Sequence, residues 1–372
     1  MSRKLEYTIF DYLYWRGARS LKEIPFNNVD SLVLSTLSYI YFLDIDERSG
    51  TEEGITLREL TDRFETDPKA YKIRHQNDID LLQLAGNSVR FGDIIVSRHV
   101  DLLDKEASIQ FSAELFLLDK KTGYICYRGT DPTLTALKED LNLSFEVVPA
   151  QQLALSYLNV IGRSFDGQIY VGGHSKGGNM TVYASANCDQ EVFDKIIKIY
   201  NMDGPGFDSS IIEKATFDRV GPKLVTYLPK SSIIGMMMEP YGGKTYVIDS
   251  FGIGIGQHEP FRWKVTTEDF IHLDELDGPS HYINRTLDKW LSEIPVEERK
   301  AFVEGMDAIM NASQAEKAGD VVPGLLKNIV SVTRVLRSMD DSTRKSILKS
   351  FAKLFAAAGS SLPSIFRSET DH

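Results

Sequence analysis

The chain has 372 residues, of which 42% are hydrophobic and 26% are charged, as expected for a globular protein with a large buried core. Its net charge of -11 argues against nucleic acid as a partner, because neutralising phosphates requires clustered Lys and Arg. Cys126 and Cys188 are the two cysteines, the N-terminus lacks a secretory-signal pattern, and no apolar stretch is long enough to span a bilayer. We therefore expect a cytoplasmic protein with reduced thiols.

The first hundred residues are predicted to be mainly helical. Residues 28–44 place apolar side chains at helical spacing behind an Asn cap. Thr56 and Glu59 have the spacing of a capping box, which indicates the start of another helix. We expect residues 1–104 to form a helical region packed on a core that begins at residue 105.

The middle of the chain alternates between strand and helix patterns. Apolar runs at residues 109–118 and 124–127 flank a turn and predict a β-hairpin. Strands that alternate with helices predict an α/β fold with a mostly parallel central sheet, covered on both faces. The later elements follow in the order helix 150–164, strand 168–171, helix 176–187, and strands 195–202, 224–228 and 245–248.

The end of the chain returns to a helical pattern. Helices are predicted at residues 284–291 and 296–312, so the core is expected to cover 105–292 and a helical extension 293–372. Residues 327–358 are a basic amphipathic stretch in an acidic protein. This stretch has two interpretations: a solvated helix face, or an interfacial helix that makes peripheral contact with anionic lipid or a partner.

Residues 170–179 read Tyr-Val-Gly-Gly-His-Ser-Lys-Gly-Gly-Asn and contain a G-x-S-x-G pattern centred on Ser175. A serine raised on a sharp strand-to-helix turn has a strained backbone, and glycines two residues before and after it prevent collisions. A β-prone run ends just before the pattern and a helix begins just after it. The alternative is a glycine-rich turn that holds a phosphate, but the spacings of nucleotide-binding motifs are absent. Ser175 is therefore the candidate nucleophile of an α/β-hydrolase fold.

A serine nucleophile requires a base, and in this fold the base follows both the serine and the acid along the chain. That order leaves His258, His272, His281 and His372. His258 follows the last predicted strand in a glycine-rich loop, where the base of such a sheet belongs, and is the candidate. His272 and His281 lie in polar stretches typical of helix edges.

The acid that orients the base is assigned to Asp203, which follows the strand after the nucleophile helix. Its alternative role is that of a turn residue, because Asp-Gly-Pro-Gly favours a turn. Glu239 and Asp249 are the other candidates for the acid. The chemistry requires no cofactor, and the scattered histidines and two cysteines predict no metal site.

The oxyanion hole is expected to use two backbone N–H groups, one from the residue after the nucleophile and one from an earlier loop. Lys176 supplies the first. Thr130, which ends the Tyr-Arg-Gly-Thr segment 127–130, supplies the second. For Arg128 we prefer a structural ion pair that holds this loop.

Segments 127–130 (Tyr-Arg-Gly-Thr) and 173–177 (Gly-His-Ser-Lys-Gly) together resemble the class 3 lipases. In that family the residue after the Arg-Gly pair lines the oxyanion hole, which implies Thr130, and the serine of the turn is the nucleophile, which implies Ser175. The resemblance covers residues 105–265 and implies an α/β-hydrolase fold. The whole pattern looks closer to a bacterial branch of lipase-like proteins.

The chain departs from that family at the acid. Class 3 lipases usually carry it after the next strand, where residues 228–232 (Leu-Pro-Lys-Ser-Ser) contain no carboxylate. Either Asp203 has taken the role, or the site works as a Ser-His dyad, or it no longer turns over efficiently.

The leading hypothesis is a serine hydrolase of carboxylic esters or lipid esters, an esterase or lipase with a Ser-His-acid triad. One alternative is a non-catalytic protein that keeps the hydrolase fold and binds a lipid or a partner. The other is an acyltransferase, in which an alcohol replaces water as the acceptor.

Overall fold

The structure is a computed structural model of the chain. It describes residues 6–66, 76–104, 109–130, 147–207, 216, 218–232, 234–236, 242–252, 254–275, 341 and 344–345. All statements about the structure below concern these residues.

Among the described residues, bounds are defined for eight α-helices and nine β-strands, with short 3₁₀ turns at Glu47–Gly50, Gly254–His258 and Pro260–Arg262. The helices are α1 (Ile9–Arg16), α2 (Asn28–Leu37), α3 (Phe42–Ile45), α4 (Leu57–Thr66), α5 (Gln76–Gly86), α6 (Pro149–Ser164), α7 (Lys176–Asn187) and α8 (Gln190–Lys195). The strands are β1 (Ile55–Thr56), β2 (Ile95–Asp104), β3 (Ile109–Asp119), β4 (Thr122–Tyr127), β5 (Gln168–His174), β6 (Ile196–Met202), β7 (Leu224–Pro229), β8 (Lys244–Ile248) and β9 (His272–Leu273).

Local sequence patterns explain where several helices begin. Asn27 caps α2, since its side chain accepts hydrogen bonds from the backbone N–H groups of Val29 and Asp30. At the start of α4, the Thr56 hydroxyl accepts from the Glu59 N–H, and the Glu59 carboxylate accepts from the Thr56 N–H. The capping box predicted from these two residues is thereby confirmed.

The single helix predicted for residues 28–44 is wrong, because the segment forms two helices, α2 and α3. Two tyrosines lie at the break. The Tyr39 hydroxyl makes a hydrogen bond with His174, and the Tyr41 ring packs under the Arg128 guanidinium. Tertiary contacts of these side chains thus override the continuous helical spacing of the sequence.

The nine described strands form one sheet whose order follows the chain from β1 to β9. The prediction of a mostly parallel sheet is wrong. The pairings from β4 to β8 are parallel, whereas those from β1 to β4 and between β8 and β9 are antiparallel. The physical reason is the connections: β3 and β4 are joined by a tight turn, which requires antiparallel pairing, while α6 and α7 carry the chain back between parallel strands.

Each face of the sheet is covered by a different group of helices. Helices α1–α5 pack on one face together with Tyr124, Cys126, Tyr200 and Trp263. Helices α6–α8 pack on the other face against alternate residues of β3–β6. This three-layer α/β arrangement places the carboxyl ends of β4–β8 at one edge of the sheet, where loops are free to carry functional groups.

The predicted division at residues 104 and 292 stays a prediction, although β1 and β2 bring the start of the sheet into the segment before 105. Helices 284–291 and 296–312 lie outside the described residues. The basic stretch 327–358 does too, except for residues 341, 344 and 345. No helix in the described ranges is both long and apolar enough to cross a membrane.

Candidate active site

Ser175 lies on the turn between β5 and α7, with φ 60° and ψ -131°. Residues with a side chain rarely adopt positive φ, and such strain persists only where the surroundings impose it. Here the Ser175 N–H donates to the Met202 carbonyl at 2.9 Å, and the Gly178 N–H donates to the Ser175 carbonyl at 2.8 Å. The serine is half-buried and lies at the N-terminus of α7.

The glycines of the G-x-S-x-G pattern are required by close backbone approach. A Cβ on Gly173 would lie 2.5 Å from the carbonyl carbon of Gly177, and a Cβ on Gly177 would overlap the Tyr127 carbonyl oxygen. Only glycine therefore permits β4, β5 and α7 to meet around Ser175.

Asp203 follows β6 with φ 53°, a left-handed conformation that Asp tolerates better than most residues. Its side chain is buried, and its carboxylate accepts three hydrogen bonds. Oδ1 accepts from the Ser232 hydroxyl at 2.5 Å and the Gly235 N–H at 3.1 Å, and Oδ2 lies 2.6 Å from His258 Nδ1. The carboxylate is therefore fixed in a single orientation toward the histidine.

His258 ends a 3₁₀ turn, and its side chain is 20% exposed. Because Asp203 accepts at Nδ1, that nitrogen carries the proton, and the neutral ring presents an unprotonated Nε2. An acid that holds a histidine in this tautomer leaves Nε2 able to accept a proton.

The backbone around His258 is held by Gln257, whose side chain is buried. The amide oxygen of Gln257 accepts from the Ser231 N–H at 3.0 Å and the Ser250 hydroxyl at 2.5 Å. The indole N–H of Trp263 donates to the Gln257 carbonyl at 2.9 Å. These bonds join the His258 loop to the ends of β7 and β8.

Thr130 and Lys176 follow neighbouring parallel strands at the same sheet edge, since Tyr127 of β4 is in register with Gly173 of β5. Lys176 is the first residue of α7, where the positive end of the helix dipole lies. Its side chain is buried, and Nζ donates to the Gln110 carbonyl at 3.0 Å. The ammonium group is thus engaged with β3.

The loop that carries Thr130 is anchored by Arg128. The Arg128 guanidinium is buried, donates to Asp101 Oδ1 at 2.8 Å and packs on the Tyr41 ring. The Arg128 N–H donates to the Ser112 carbonyl. The structural ion pair predicted for this arginine is present.

Two further titratable groups are buried beside Arg128. Burial raises the pKa of the Glu114 carboxyl well above its usual value, and the neighbouring Arg128 charge only partly opposes this. The pKa of His99 is lowered to about 3, mainly by burial and to a smaller extent by the positive charge of Arg128. His99 Nδ1 lies 3.2 Å from Glu114 Oε2, and the two pKa shifts each favour the uncharged form of the group concerned.

Two of the other candidate acids and bases, Asp249 and His272, are described by the structure, and they do not join this cluster. Asp249 pairs with Lys230 at 3.0 Å and Lys264 at 2.5 Å. Burial acts to raise the pKa of Asp249, but the hydrogen bonds and charges of the two lysines outweigh it and lower the pKa. His272 is exposed and lies 3.2 Å from Asp269. Glu239, His281 and His372 lie outside the described residues.

Sequence reasoning missed Ser232, Gln257 and His174 as parts of the site. Ser232 donates to Asp203 from the segment after β7, where class 3 lipases usually carry the acid. Gln257 and His174 each directly precede a predicted site residue, and this position in the sequence was the one sign that they belong to the candidate site. Their partners are distant in the chain, as for Tyr39 and His174, which are 135 residues apart.

The chain is similar to several solved lipases, each at low identity. The first is a fungal lipase–inhibitor complex, with 14% identity, a TM-score of 0.35, and coverage of 59% of this chain and 77% of that chain. The Rhizomucor miehei lipase propeptide complex follows with 14% identity, a TM-score of 0.33, and coverage of 59% and 68%. A triacylglycerol lipase from Penicillium expansum has 14% identity, a TM-score of 0.28, and coverage of 42% and 71%.

No curated protein matches the sequence. The family model described as Mbeg1-like matches residues 85–307, which is more than half of the chain and includes Ser175, Asp203 and His258. The chain belongs to the Mbeg1-like family.

Proposed function

We propose that this protein is a serine hydrolase of carboxylic esters, including lipid esters. Ser175 is the nucleophile, His258 the base and Asp203 the acid that orients the base, while the N–H groups of Thr130 and Lys176 hold the oxyanion. The observation that carries the proposal is the 2.6 Å contact between Asp203 and His258 at the sheet edge where the strained Ser175 turn lies.

The first half of the reaction transfers the acyl group to the protein. The Ser175 oxygen forms a bond to the ester carbonyl carbon while His258 Nε2 takes the hydroxyl proton. The carbonyl electrons move onto its oxygen, which accepts hydrogen bonds from the two N–H groups. When the tetrahedral intermediate collapses, the C–O bond to the alcohol breaks, and Nε2 returns the proton to the leaving alcohol oxygen.

The second half repeats these steps with water. His258 Nε2 takes a proton from water, whose oxygen bonds to the acyl carbon, and the bond to Ser175 breaks as the proton passes to the serine oxygen. Carboxylic acid leaves and the free serine is restored. An acyltransferase would differ only in that an alcohol replaces water at this stage.

A second candidate is a non-catalytic protein that binds a lipid or partner on the same fold. One observation favours it: within the described ranges, no hydrogen bond joins the Ser175 hydroxyl to His258. In enzymes without bound substrate such bonds are often long or poorly aligned and tighten only when the substrate binds, and covalent labelling distinguishes the two candidates.

The test is covalent labelling by a fluorophosphonate probe, together with turnover of nitrophenyl esters of increasing acyl length. The wild-type protein is compared with Ser175→Ala and with Ser156→Ala, a control serine that is exposed on α6. Labelling and turnover that disappear in Ser175→Ala and persist in Ser156→Ala support the proposal. A folded wild-type protein that neither labels nor turns over supports the binding candidate, and acyl transfer to added alcohol identifies a transferase.

The cytoplasmic location, the bacterial branch and the contact of the C-terminal stretch with membranes remain predictions from the sequence. Removing the residues after Pro323 tests the last of these. Weaker binding to anionic vesicles, with hydrolysis of a soluble ester unchanged, is the expected result. Equal vesicle binding by the full-length and shortened proteins would contradict it.

A further inference from the structure

His174, the residue before the candidate nucleophile, connects two separate parts of the fold. Its ring is buried, with Nδ1 2.8 Å from the Tyr39 hydroxyl and Nε2 2.8 Å from the backbone carbonyl oxygen of His258. Tyr39 follows α2 and His258 lies in the loop beyond β8. The His174 ring therefore connects these two segments across the end of β5.

The bonding pattern determines the protonation of the His174 ring. A carbonyl oxygen only accepts hydrogen bonds, so Nε2 must carry a proton and donate it to His258. The neutral ring then has a lone pair on Nδ1, which accepts the Tyr39 O–H. Tyr39 therefore favours the one neutral tautomer in which His174 can hold the His258 backbone.

His258 is consequently held at two points. Asp203 fixes its side chain through Nδ1, and His174 fixes its main chain through the carbonyl. The His174 and His258 rings also pack against each other, with centroids 4.4 Å apart and planes tilted by 35°. Because His174 is covalently joined to Ser175, any shift of the His258 loop relative to the serine must break or strain this bridge.

The same residue constrains the loop that leads to Thr130. A Cβ on Gly129 would lie 2.6 Å from the His174 carbonyl oxygen and would overlap the Tyr39 hydroxyl. The nucleophile turn, the base loop and the oxyanion loop therefore converge on His174 and its partner Tyr39.

We propose that His174, with its tautomer set by Tyr39, is a positioning residue that fixes the distance between the Ser175 turn and the His258 loop. The proposal rests on the function proposed above. A displacement of about 1 Å between a nucleophile and its base can cost about 10²-fold in rate, so a single bridge at this place is sufficient to affect catalysis.

Three substitutions distinguish the effect of the His174 hydrogen bonds from the effect of the packing of its ring. His174→Phe keeps a ring of similar size and removes both hydrogen bonds. His174→Gln retains an amide N–H that reaches the His258 carbonyl. Tyr39→Phe removes one hydroxyl and leaves His174 in place, so it tests the same link with the least disturbance to folding. His272→Phe, at an exposed histidine, is the matched control.

The rate of fluorophosphonate labelling, kcat and KM are measured for each variant, together with the melting temperature. We expect His174→Phe to lower kcat and the labelling rate by about 10- to 100-fold with little change in KM. His174→Gln should recover most of this loss, Tyr39→Phe should show a smaller loss, and the control should match the wild type. A His174→Phe variant that labels at the wild-type rate, or a Gln variant no better than Phe, would overturn the proposal.

A spectroscopic measurement separates this proposal from the proposed function. The measurement is the NMR resonance of the His258 Nδ1 proton, which is donated to Asp203, compared between the wild type, His174→Phe and Tyr39→Phe. We expect its resonance to shift or broaden in both variants. If the wild type does not react with the probe, the hydrolase proposal fails, and the NMR result alone decides the positioning role: an unchanged resonance refutes it.

Discussion

The imidazole Nδ1 of His258 lies 2.6 Å from Oδ2 of Asp203, although 55 residues separate the two in the chain. Asp203 follows β6, and His258 follows β8, two strands further along the sheet. The contact spans β7, and the segment after that strand provides Ser232, whose hydroxyl donates to the same carboxylate. A carboxylate with three donors around it is oriented before any substrate arrives.

Replacing Asp203 by Asn tests its role as the acid. Asn keeps the size of the side chain and tolerates the left-handed backbone, but its amide group would donate to His258 Nδ1 and move the ring proton to Nε2. We expect kcat to fall by about 10⁴-fold with the fold preserved. The measurement is ester turnover, with circular dichroism to verify folding.

Asp249→Asn is the matched control for that experiment, because Asp249 pairs with two lysines and does not contact His258. Its turnover should stay close to that of the wild type. If Asp203→Asn retained full activity, the acid would have to be sought elsewhere, starting with Glu239.

Gly177→Ala is expected to destabilise the turn at Ser175. The added methyl group would overlap the Tyr127 carbonyl oxygen, and backbone cannot move away as a flexible side chain can. Overpacking of this kind costs about 1–3 kcal/mol. Chemical unfolding measures the change in the free energy of unfolding. Gly221→Ala is the control, since the nearest atom to its new Cβ would be 3.6 Å away. If both variants lost the same stability, the loss in Gly177→Ala could not be attributed to the contact at the Ser175 turn.

Glu114→Gln should make the protein more stable at alkaline pH. Burial raises the pKa of the Glu114 carboxyl well above its ordinary value of 4.5. Above pH 4.5 this carboxyl therefore loses its proton in the unfolded chain but keeps it in the folded protein. The free energy of unfolding therefore falls as pH rises, by about 1.4 kcal/mol per pH unit, until the folded-state pKa is reached. Because Gln does not ionise, the Glu114→Gln variant lacks this pH-dependent fall in the free energy of unfolding.

The comparison is best made between pH 6.5 and 8. His99, with a pKa of about 3 when folded and 6.5 as its ordinary value, reduces stability only as pH falls below 6.5. Urea unfolding at several pH values should show a shallower decline for Glu114→Gln than for the wild type. Identical slopes would show that Glu114 is ionised in the folded protein. Glu191→Gln, at an exposed position, serves as the control.

Arg90→Met is expected to cost about 3–5 kcal/mol of stability, because it leaves the Asp30 carboxylate buried without its cation. The Arg90 and Asp30 side chains are fully buried, and their closest contacts are 2.5 and 2.6 Å. Arg163→Met removes an exposed arginine that pairs with Asp189 and Glu191, and should cost less than about 1 kcal/mol. Thermal unfolding compares the two, and similar losses would contradict the expected difference.

The strand–turn–helix around Ser175 was predictable because its requirements are local. A β-prone run, a glycine pattern and helical spacing follow one another within twenty residues, and they correspond to β5 and α7. The candidates Asp203 and His258 were found by a similar argument, since residues that follow parallel strands meet at one edge of the sheet.

The remaining parts of the site depend on distant partners, which sequence patterns do not indicate. Nothing near Tyr39 indicates that its hydroxyl meets His174, and nothing near Ser232 indicates its bond to Asp203. Strand β2 lies in a segment predicted to be mainly helical, and it acquires its conformation by pairing with β3. The β3–β4 hairpin was predicted, whereas the antiparallel pairing of β1 with β2 and of β2 with β3 was missed, because alternation of strands and helices further along the chain dominated the prediction.

The strand order of the described sheet has a consequence for how the molecule forms during synthesis. Each strand joins the edge left by its predecessor, so β1–β4 can pair while the rest of the chain is still on the ribosome. Ser175, Asp203 and His258 are then added to the growing edge in that order. Ser175 is translated before Asp203 and His258, so the proposed triad can be complete only after the loop that follows β8 has emerged.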